Sequence, residues 1–145
     1  MTRLAAGIVW LSVMLLSLPV MAGQLEAILY KDPQCGCCSG YVKHLKAAGI
    51  SVDVRNADDI YALKPVYGVP EELYSCHTML IDGYVVEGHV PLTVLGKLLA
   101  ERPDIAGIAL PGMPSGSPGM PGPKDESFNV YGFSSGAAPT VYAVE

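Results

Sequence analysis

Positive charge is scarce in this sequence. Its 145 residues include nine Lys and Arg against 14 Asp and Glu, which gives a formal net charge of −5. A chain with this balance lacks the basic surface that attracts nucleic acid, so we expect no nucleic-acid partner. The acidic pairs Asp58-Asp59 and Glu71-Glu72 are typical of solvated positions near helix starts. They do not predict the buried carboxylate pair that acid–base catalysis would need.

Long apolar runs are equally scarce, since only the run from Leu4 to Val20 approaches membrane length. It follows Arg3, and Val20-Met21-Ala22 stands at its end. A short basic head, an apolar stretch and a closing triplet with small residues predict a signal peptide over residues 1–22. The alternative is an uncleaved membrane anchor, because about 17 apolar residues is near the lower limit for a span. We favour cleavage, which would leave a soluble periplasmic protein without membrane contact.

Cysteine is also rare, but its placement is informative. Three of the four cysteines fall in the run Cys35-Gly36-Cys37-Cys38, and the fourth, Cys76, precedes His77. Four cysteines in an exported chain usually predict two structural disulfides, and that alternative stays open. The spacing favours another interpretation, because three clustered thiols are poorly placed to link distant segments. A disulfide between the neighbours Cys37 and Cys38 would be strained, so we expect a thiol site for a soft metal.

The hydrophobic pattern predicts an α/β fold. The order of elements, βαβ(α)ββα, is that of thioredoxin and implies a central mixed sheet flanked by helices. The predicted elements are a strand over 24–31, a helix over 39–49, a strand over 50–54, a helix over 57–67 interrupted at Pro65, strands over 78–81 and 84–87 joined by Asp82-Gly83, and a helix between Pro91 and Pro103.

The composition changes after this last helix. Residues 110–124 hold five prolines, four glycines and two methionines, and no packed element is expected there. Residues 128–144 could form an added strand or an irregular flap, and the pattern does not decide between them. We therefore predict a signal peptide over 1–22, a thioredoxin-like metal-binding domain over 23–106, and a Pro/Gly/Met-rich segment with a C-terminal flap or strand over 107–145.

Cys35 and Cys38 form a CxxC pair where the first strand gives way to a helix. Unpaired amide groups and the positive end of the helix dipole favour thiolate there, which makes a better nucleophile and metal ligand. This arrangement is the thioredoxin signature. Cys37 departs from it, since it puts a third thiol where redox enzymes carry a residue without sulfur.

The position of His77 is the second departure. In thioredoxins the residue just before the hairpin strand is a cis-proline that packs against the CxxC pair. Here that residue is His77, preceded by Cys76. The exchange would open the site and add two groups that can bind a metal. We therefore expect Cys76 to approach Cys35 and Cys38 in space.

Four thiolates could hold Zn(II) in a closed tetrahedral site, or Cu(I), singly or in a thiolate-bridged cluster. The softness of the thiolate ligands and the predicted periplasmic location favour copper over zinc. Met113 and Met120 offer thioethers, which Cu(I) tolerates, although these residues could instead fill grooves beside the sheet.

We expect a different environment for each of the three histidines. His77 could be a ligand or a structural histidine. We place His89 in the loop before the last helix, with metal contact the weaker alternative, and His44 on the surface of the first helix.

At these residues the chain resembles the bacterial family catalogued as domain of unknown function 411, whose better-understood members are periplasmic copper-resistance proteins of the CopG type. The similarity runs over residues 27–121, through Cys35-Gly-Cys-Cys38, Gly68-Val-Pro70, Ser75-Cys-His-Thr78, the run 83–91 and the run 111–120. It implies a thioredoxin-like fold, copper held by the positions of Cys35, Cys37, Cys38 and Cys76, and a role in copper handling that can include a redox change of copper.

The sequence thus predicts a periplasmic copper-binding protein that holds Cu(I) at the cysteines and contributes to copper resistance by sequestration or redox handling. Its expected partners are copper ions and other periplasmic copper-handling proteins. The alternative is a thiol-disulfide oxidoreductase, with Cys35 as nucleophile and Cys38 as the resolving thiol. A structural Zn(II) site is a third hypothesis.

Overall fold

The computed structural model describes residues 23–145, so the signal peptide predicted for residues 1–22 lies outside the described residues. The elements are β1 (Glu26–Lys31), α1 (Gly36–Ala47), β2 (Ser51–Asn56), α2 (Ile60–Leu63), a 3₁₀ turn (Glu71–Leu73), β3 (His77–Ile81), β4 (Tyr84–Gly88), α3 (Leu92–Glu101), β5 (Gly107–Leu110), β6 (Asn129–Phe133) and β7 (Thr140–Val144). Among residues 23–145, none of the helices is both long enough and apolar enough to span a membrane.

The strands form one mixed sheet, which confirms the predicted α/β class. Its order is β2-β1-β3-β4-β5-β6-β7. The pairs β1–β2 and β4–β5 are parallel, and the other neighbours are antiparallel. Because β1 and β3 run in opposite directions, the end of β1 lies beside the start of β3, and Lys31 pairs with His77. The loop that carries Cys35 therefore begins next to the strand that Cys76 precedes.

Helices α1 and α3 cover the sheet with apolar side chains at helical spacing. From α1 the buried residues include Tyr41 and Leu45, and from α3 they include Leu98. They pack against inward-facing strand residues such as Leu29 and Met79, which are opposite each other on β1 and β3. Full burial of one such side chain stabilises the fold by about 1.5–3 kcal/mol. An apolar core thus holds together the helix and strands from which the cysteines project.

Two helices differ from the predicted bounds. Helix α1 begins at Gly36 rather than near residue 39, because Cys35 itself caps it. Helix α2 is a single turn instead of the predicted helix over 57–67. Its start is defined by Asp59, whose Oδ1 accepts hydrogen bonds from the backbone N–H groups of Tyr61 and Ala62. The cysteine run therefore belongs to the first turn of α1 and not to a loop.

The C-terminal residues extend the same sheet. Strand β5, which the sequence pattern did not predict, pairs with β4, and β6 and β7 follow it as a hairpin at the sheet edge. We call residues 111–128, between β5 and β6, the connecting segment. It contains no helix or strand, yet Gly119 lies against α1. The absence of a helix or strand in residues 111–124 agrees with the sequence-based expectation. The domain division after residue 106 stays a prediction.

Candidate metal centre

The three cysteines at the start of α1, Cys35, Cys37 and Cys38, are called the helix cysteines here. A turn after β1 leads to them, in which the N–H of Cys35 donates to the carbonyl of Asp32 at 3.1 Å. The sulfur of Cys35 then accepts a hydrogen bond from the N–H of Cys38 at 3.3 Å, so it caps the helix. Unpaired N–H groups and the positive dipole end at this position favour a thiolate over a thiol.

Cys35 and Cys38 form a disulfide, whereas Cys37 and Cys76 are free thiols. The alternative of two structural disulfides does not describe this arrangement. The sulfur of Cys37 lies 3.4 Å from that of Cys35, and the sulfurs of all four cysteines lie within 4.8 Å of one another. The structure therefore brings Cys76 to the helix cysteines across 38 residues of sequence, and we call these four residues the cysteine cluster.

A buried lysine fixes the turn that carries the helix cysteines. Lys31 is 6% exposed, and its Nζ donates to the backbone carbonyls of Asp32 at 2.8 Å, Pro33 at 3.3 Å and Cys35 at 3.4 Å. These three contacts hold the loop that leads to the helix cysteines. The role of Lys31 could not be predicted, since nothing in a strand ending Tyr-Lys indicates that the ammonium is buried.

Cys76 contacts His89, and the hydrogen bonds define the protonation of both groups. The Cys76 Sγ lies 2.9 Å from Nε2 of His89, and Nδ1 of His89 lies 2.7 Å from the carbonyl oxygen of Pro118. A carbonyl only accepts, so Nδ1 carries the proton. Burial lowers the pKa of His89, so the ring is neutral and Nε2 has a lone pair. The Cys76 thiol donates to that lone pair.

The Cys76 thiol holds its proton strongly. Burial raises the pKa of Cys76 to about 12, and the nearby charge of Cys37 acts in the same direction. The contact to His89 does not reverse this shift, because a neutral ring supplies no positive charge. Cys76 is therefore a protonated thiol at neutral pH.

His77 is the first residue of β3 and is fully buried. Its Nδ1 lies 3.3 Å from the Cys76 Sγ, while Nε2 has no hydrogen-bond partner among residues 23–145. Burial lowers the pKa of His77 well below its usual value, helped by His89 and Lys64, so the ring is neutral. An unsatisfied buried nitrogen costs about 1–3 kcal/mol. His77 therefore contacts Cys76 through Nδ1 and leaves Nε2 unpaired within the described residues.

Cys76, His77 and His89 lie where the central strand β3 begins and the neighbouring strand β4 ends, and we call them the sheet-edge group. Together with Cys38 they form a second set of potential ligand atoms, which also lie within 4.8 Å of one another. Sulfur and imidazole suit Cu(I) or Zn(II), whereas Mg²⁺ and Ca²⁺ prefer oxygen. Both sets of donor atoms therefore fit a soft or borderline metal. His89 lies in the loop before α3, as predicted, but its contact with Cys76 could not be predicted from the local sequence.

The connecting segment joins the helix cysteines to the sheet-edge group. A Cβ on Gly119 would lie 2.5 Å from the backbone nitrogen of Tyr41 and 2.7 Å from the carbonyl oxygen of Cys37, so only glycine fits against α1. The preceding residue, Pro118, accepts the hydrogen bond of His89. This contact could not be predicted from composition, because it requires the segment to fold back over the sheet.

Met120 is half-buried. Its backbone lies beside α1 because Met120 directly follows Gly119. Met113 is 41% exposed and therefore does not fill a closed groove. The metal-binding roles predicted for both methionines stay predictions. His44 is exposed on α1, as expected from the sequence, and Met79 is fully buried in the core.

Comparisons with known proteins give a consistent result. The family described as "Protein of unknown function, DUF411" matches residues 73–120, which include the whole sheet-edge group. A solved structure named "Copper resistance protein copG- Form 2" has a TM-score of 0.78 and 42% identity, covering 85% of this chain and 99% of that chain. The corresponding values for "Copper resistance protein copG- Form 1" are 0.77, 41%, 85% and 98%. No curated protein matches the chain.

Proposed function

The chain belongs to the DUF411 family of CopG-type copper resistance proteins, and from this premise we propose that it is a periplasmic copper-binding protein that holds Cu(I) and contributes to copper resistance. The observation that carries the proposal is the cysteine cluster, in which four sulfurs from two separate elements lie within 4.8 Å of one another. So many thiols at one point exceed what one redox disulfide needs.

Copper(I) suits the donor atoms better than other metals available to such a site. Thiolates and thioethers are soft ligands, and Cu(I) accepts them in mononuclear sites or in thiolate-bridged clusters. We assign the cysteine cluster as ligands, with His77, His89, Met113 and Met120 as candidates for further bonds. A Zn(II) site would use sulfur and imidazole as well, but the names of the two structural relatives favour copper.

The thiols must be prepared before they bind the metal. A dithiol reductant supplies the two electrons and two protons that convert the Cys35–Cys38 disulfide into two thiols, and is itself oxidised to a disulfide. Each thiol then loses its proton as its sulfur binds Cu(I). The lone pair on Nε2 of His89 can accept the Cys76 proton or bind the metal, but it cannot do both.

Two further parts of the proposal concern fold and location. The sheet order β2-β1-β3-β4, with α1 between β1 and β2, supports a thioredoxin-like core to which β5, β6 and β7 are added. The apolar run over residues 4–20 supports export to the periplasm through a signal peptide. Other periplasmic copper-handling proteins are the expected partners. The oxidoreductase alternative gains no support from relatives whose names describe copper resistance.

Anaerobic titration tests the proposal. The purified protein is reduced, freed of reductant and titrated with Cu(I) against a chromogenic chelator. We expect wild type to bind Cu(I) at least about 100-fold more tightly than a Cys35→Ser/Cys38→Ser variant, and Ser39→Ala, in the same helical turn, to match wild type. Equal affinities for wild type and the double variant would refute the proposal. Zinc in protein purified without added metal, held by the same cysteines, would favour the structural zinc site.

A further inference from the structure

A buried ion pair lies against the segment that carries Cys76. The Nζ of Lys64 is 2.5 Å from Oε1 of Glu87, and both side chains are completely buried. Such pairs seldom stabilise a fold more than apolar residues of the same volume would, because both charges lose their hydration. The hydrogen bonds of this pair indicate another role.

The Glu87 carboxylate fastens the chain on both sides of Cys76 and His77. Its Oε1 accepts a hydrogen bond from the backbone N–H of Ser75 at 2.6 Å, and its Oε2 accepts one from the hydroxyl of Thr78, also at 2.6 Å. Ser75 and Thr78 immediately flank the two residues that supply a thiol and an imidazole. One side chain therefore anchors both ends of the Cys76-His77 dipeptide, and we call its hydrogen bonds to Ser75 and Thr78 the anchor.

Lys64 holds the Glu87 carboxylate in place. Its Nζ donates a hydrogen bond to Glu87 and another, at 3.3 Å, to the Thr78 hydroxyl. The ring centroids of Tyr61 and Tyr74 each lie 5.6 Å from this Nζ. A charge-assisted hydrogen bond is stronger than a neutral one, so the lysine strengthens the hold that Glu87 has on this segment.

The cysteine cluster needs such an anchor more at Cys76 than at its other members. The helix cysteines share one helical turn, whereas Cys76 stands on a different element and reaches them only through the fold. The carbonyl of Cys76 is 3.7 Å from the Cys38 sulfur, so a small shift of the backbone would change the distances between sulfurs. Metal sites are sensitive to groups that orient their ligands.

We propose that the buried Lys64–Glu87 pair is a positioning device that holds the Cys76-His77 segment at the distance from the helix cysteines that Cu(I) binding requires. The inference rests on the proposed function. Lys64 and Glu87 are positioning residues, since neither belongs to the two sets of potential ligand atoms. The competing explanation is that the pair serves only the stability of the fold.

Two uncharged double variants separate these explanations. Lys64→Met/Glu87→Gln removes both charges but retains an amide that can accept from Ser75 and contact Thr78. Lys64→Met/Glu87→Leu removes the charges and the anchor together, and leaves no unpaired side-chain charge. We expect the Leu variant to lose about tenfold in Cu(I) affinity and the Gln variant to stay within about threefold of wild type. Lys97→Met/Glu101→Leu, at the exposed ion pair of α3, is the matched control and should match wild type.

A double-mutant cycle with Cys76→Ser provides the decisive readout. If the pair acts through Cys76, the Leu change costs about tenfold in wild type and less than twofold in the Cys76→Ser background. The same loss in both backgrounds, or no loss in either, would overturn the inference. Thr78→Val, which removes one anchoring hydrogen bond and leaves both charges, gives an independent test if the Leu variant does not fold. We expect a loss of about threefold that disappears in the Cys76→Ser background, and persistence of that loss would contradict positioning.

The same series distinguishes failure of the inference from failure of the proposed function. If wild type binds Cu(I) no better than Cys35→Ser/Cys38→Ser, the proposed function is wrong and the inference falls with it. If wild type binds tightly and the Leu variant equals it, only the inference is wrong.

Discussion

The helix cysteines and the sheet-edge group contribute the same kind of atom from opposite environments. Cys35 and Cys37 are half-buried at a helix N-terminus, where the dipole stabilises negative charge. Cys76 lies next to two neutral imidazoles, and burial raises its pKa to about 12. The helix cysteines therefore lie where negative charge is favoured, whereas the Cys76 thiol holds its proton. Identical residue types differ here because their surroundings differ.

The chemical reactivity of Cys76 gives the largest expected effect of this contrast. In the air-oxidised protein, we expect iodoacetamide to alkylate Cys76 at pH 8 about a thousandfold more slowly than an unstructured cysteine peptide. Only the thiolate reacts, so a pKa of about 12 makes the rate rise about tenfold per pH unit up to pH 10. Peptide mass spectrometry measures the rates, with Cys37 as the control for reagent access. A plateau below pH 9 would show that Cys76 is not protected in this way.

Loss of one sulfur from each region should have similar effects. If the two regions form one metal site, Cys38→Ser and Cys76→Ser each lower Cu(I) affinity by about 100-fold, because each leaves an incomplete set of soft ligands. Chelator competition on reduced protein measures both. Ser134→Ala, in the turn after β6, serves as a control for general effects of substitution. Unchanged affinity in Cys76→Ser would confine the site to the helix cysteines.

The two regions are joined through the connecting segment, and Gly119 tests that junction. Both Gly119 and Gly122 have positive φ, at +87° and +90°, but a Cβ on Gly122 would meet nothing closer than 3.5 Å. We expect Gly122→Ala to cost about 1 kcal/mol of unfolding free energy from backbone strain alone, and Gly119→Ala about 2 kcal/mol more because of its clash with α1. Urea denaturation measures both. Equal losses of unfolding free energy in the two variants would show that the connecting segment shifts to accommodate the methyl group without disturbing α1.

Histidine substitution gives the smallest of these effects. His89→Ala removes a ring that contacts Cys76 and Pro118, and we expect Cu(I) affinity to fall about tenfold. His44→Ala, on the exposed face of α1, is the matched control and should leave affinity unchanged. An equal response of both variants would place His89 outside the metal centre.

The two regions also differ in how far the sequence predicts them. Strand β1, the helix after the CxxC pair and the β3–β4 hairpin follow from local periodicity and from the Asp82-Gly83 turn. The approach of Cys76 to Cys35 was also predictable, because the order of elements places the start of β3 beside the end of β1.

Other features depend on tertiary contacts that local patterns do not encode. Helix α1 begins earlier than predicted because its cap is a cysteine rather than Ser, Thr, Asp or Asn. Strand β5 has four consecutive buried residues, which give no alternation to recognise. The burial of Lys31, Lys64 and Glu87 runs against their usual preference, and only the completed fold supplies their partners.

The central claim is that the helix cysteines and Cys76 form a single copper site. The most direct measurement is a crystal structure of the anaerobically Cu(I)-loaded protein, with copper located by its anomalous scattering. We predict Cys35, Cys37, Cys38 and Cys76 all within Cu–S bonding distance of the same copper ion or copper cluster. Copper held by the helix cysteines alone, with Cys76 still bonded to His89 and distant from the metal, would contradict it.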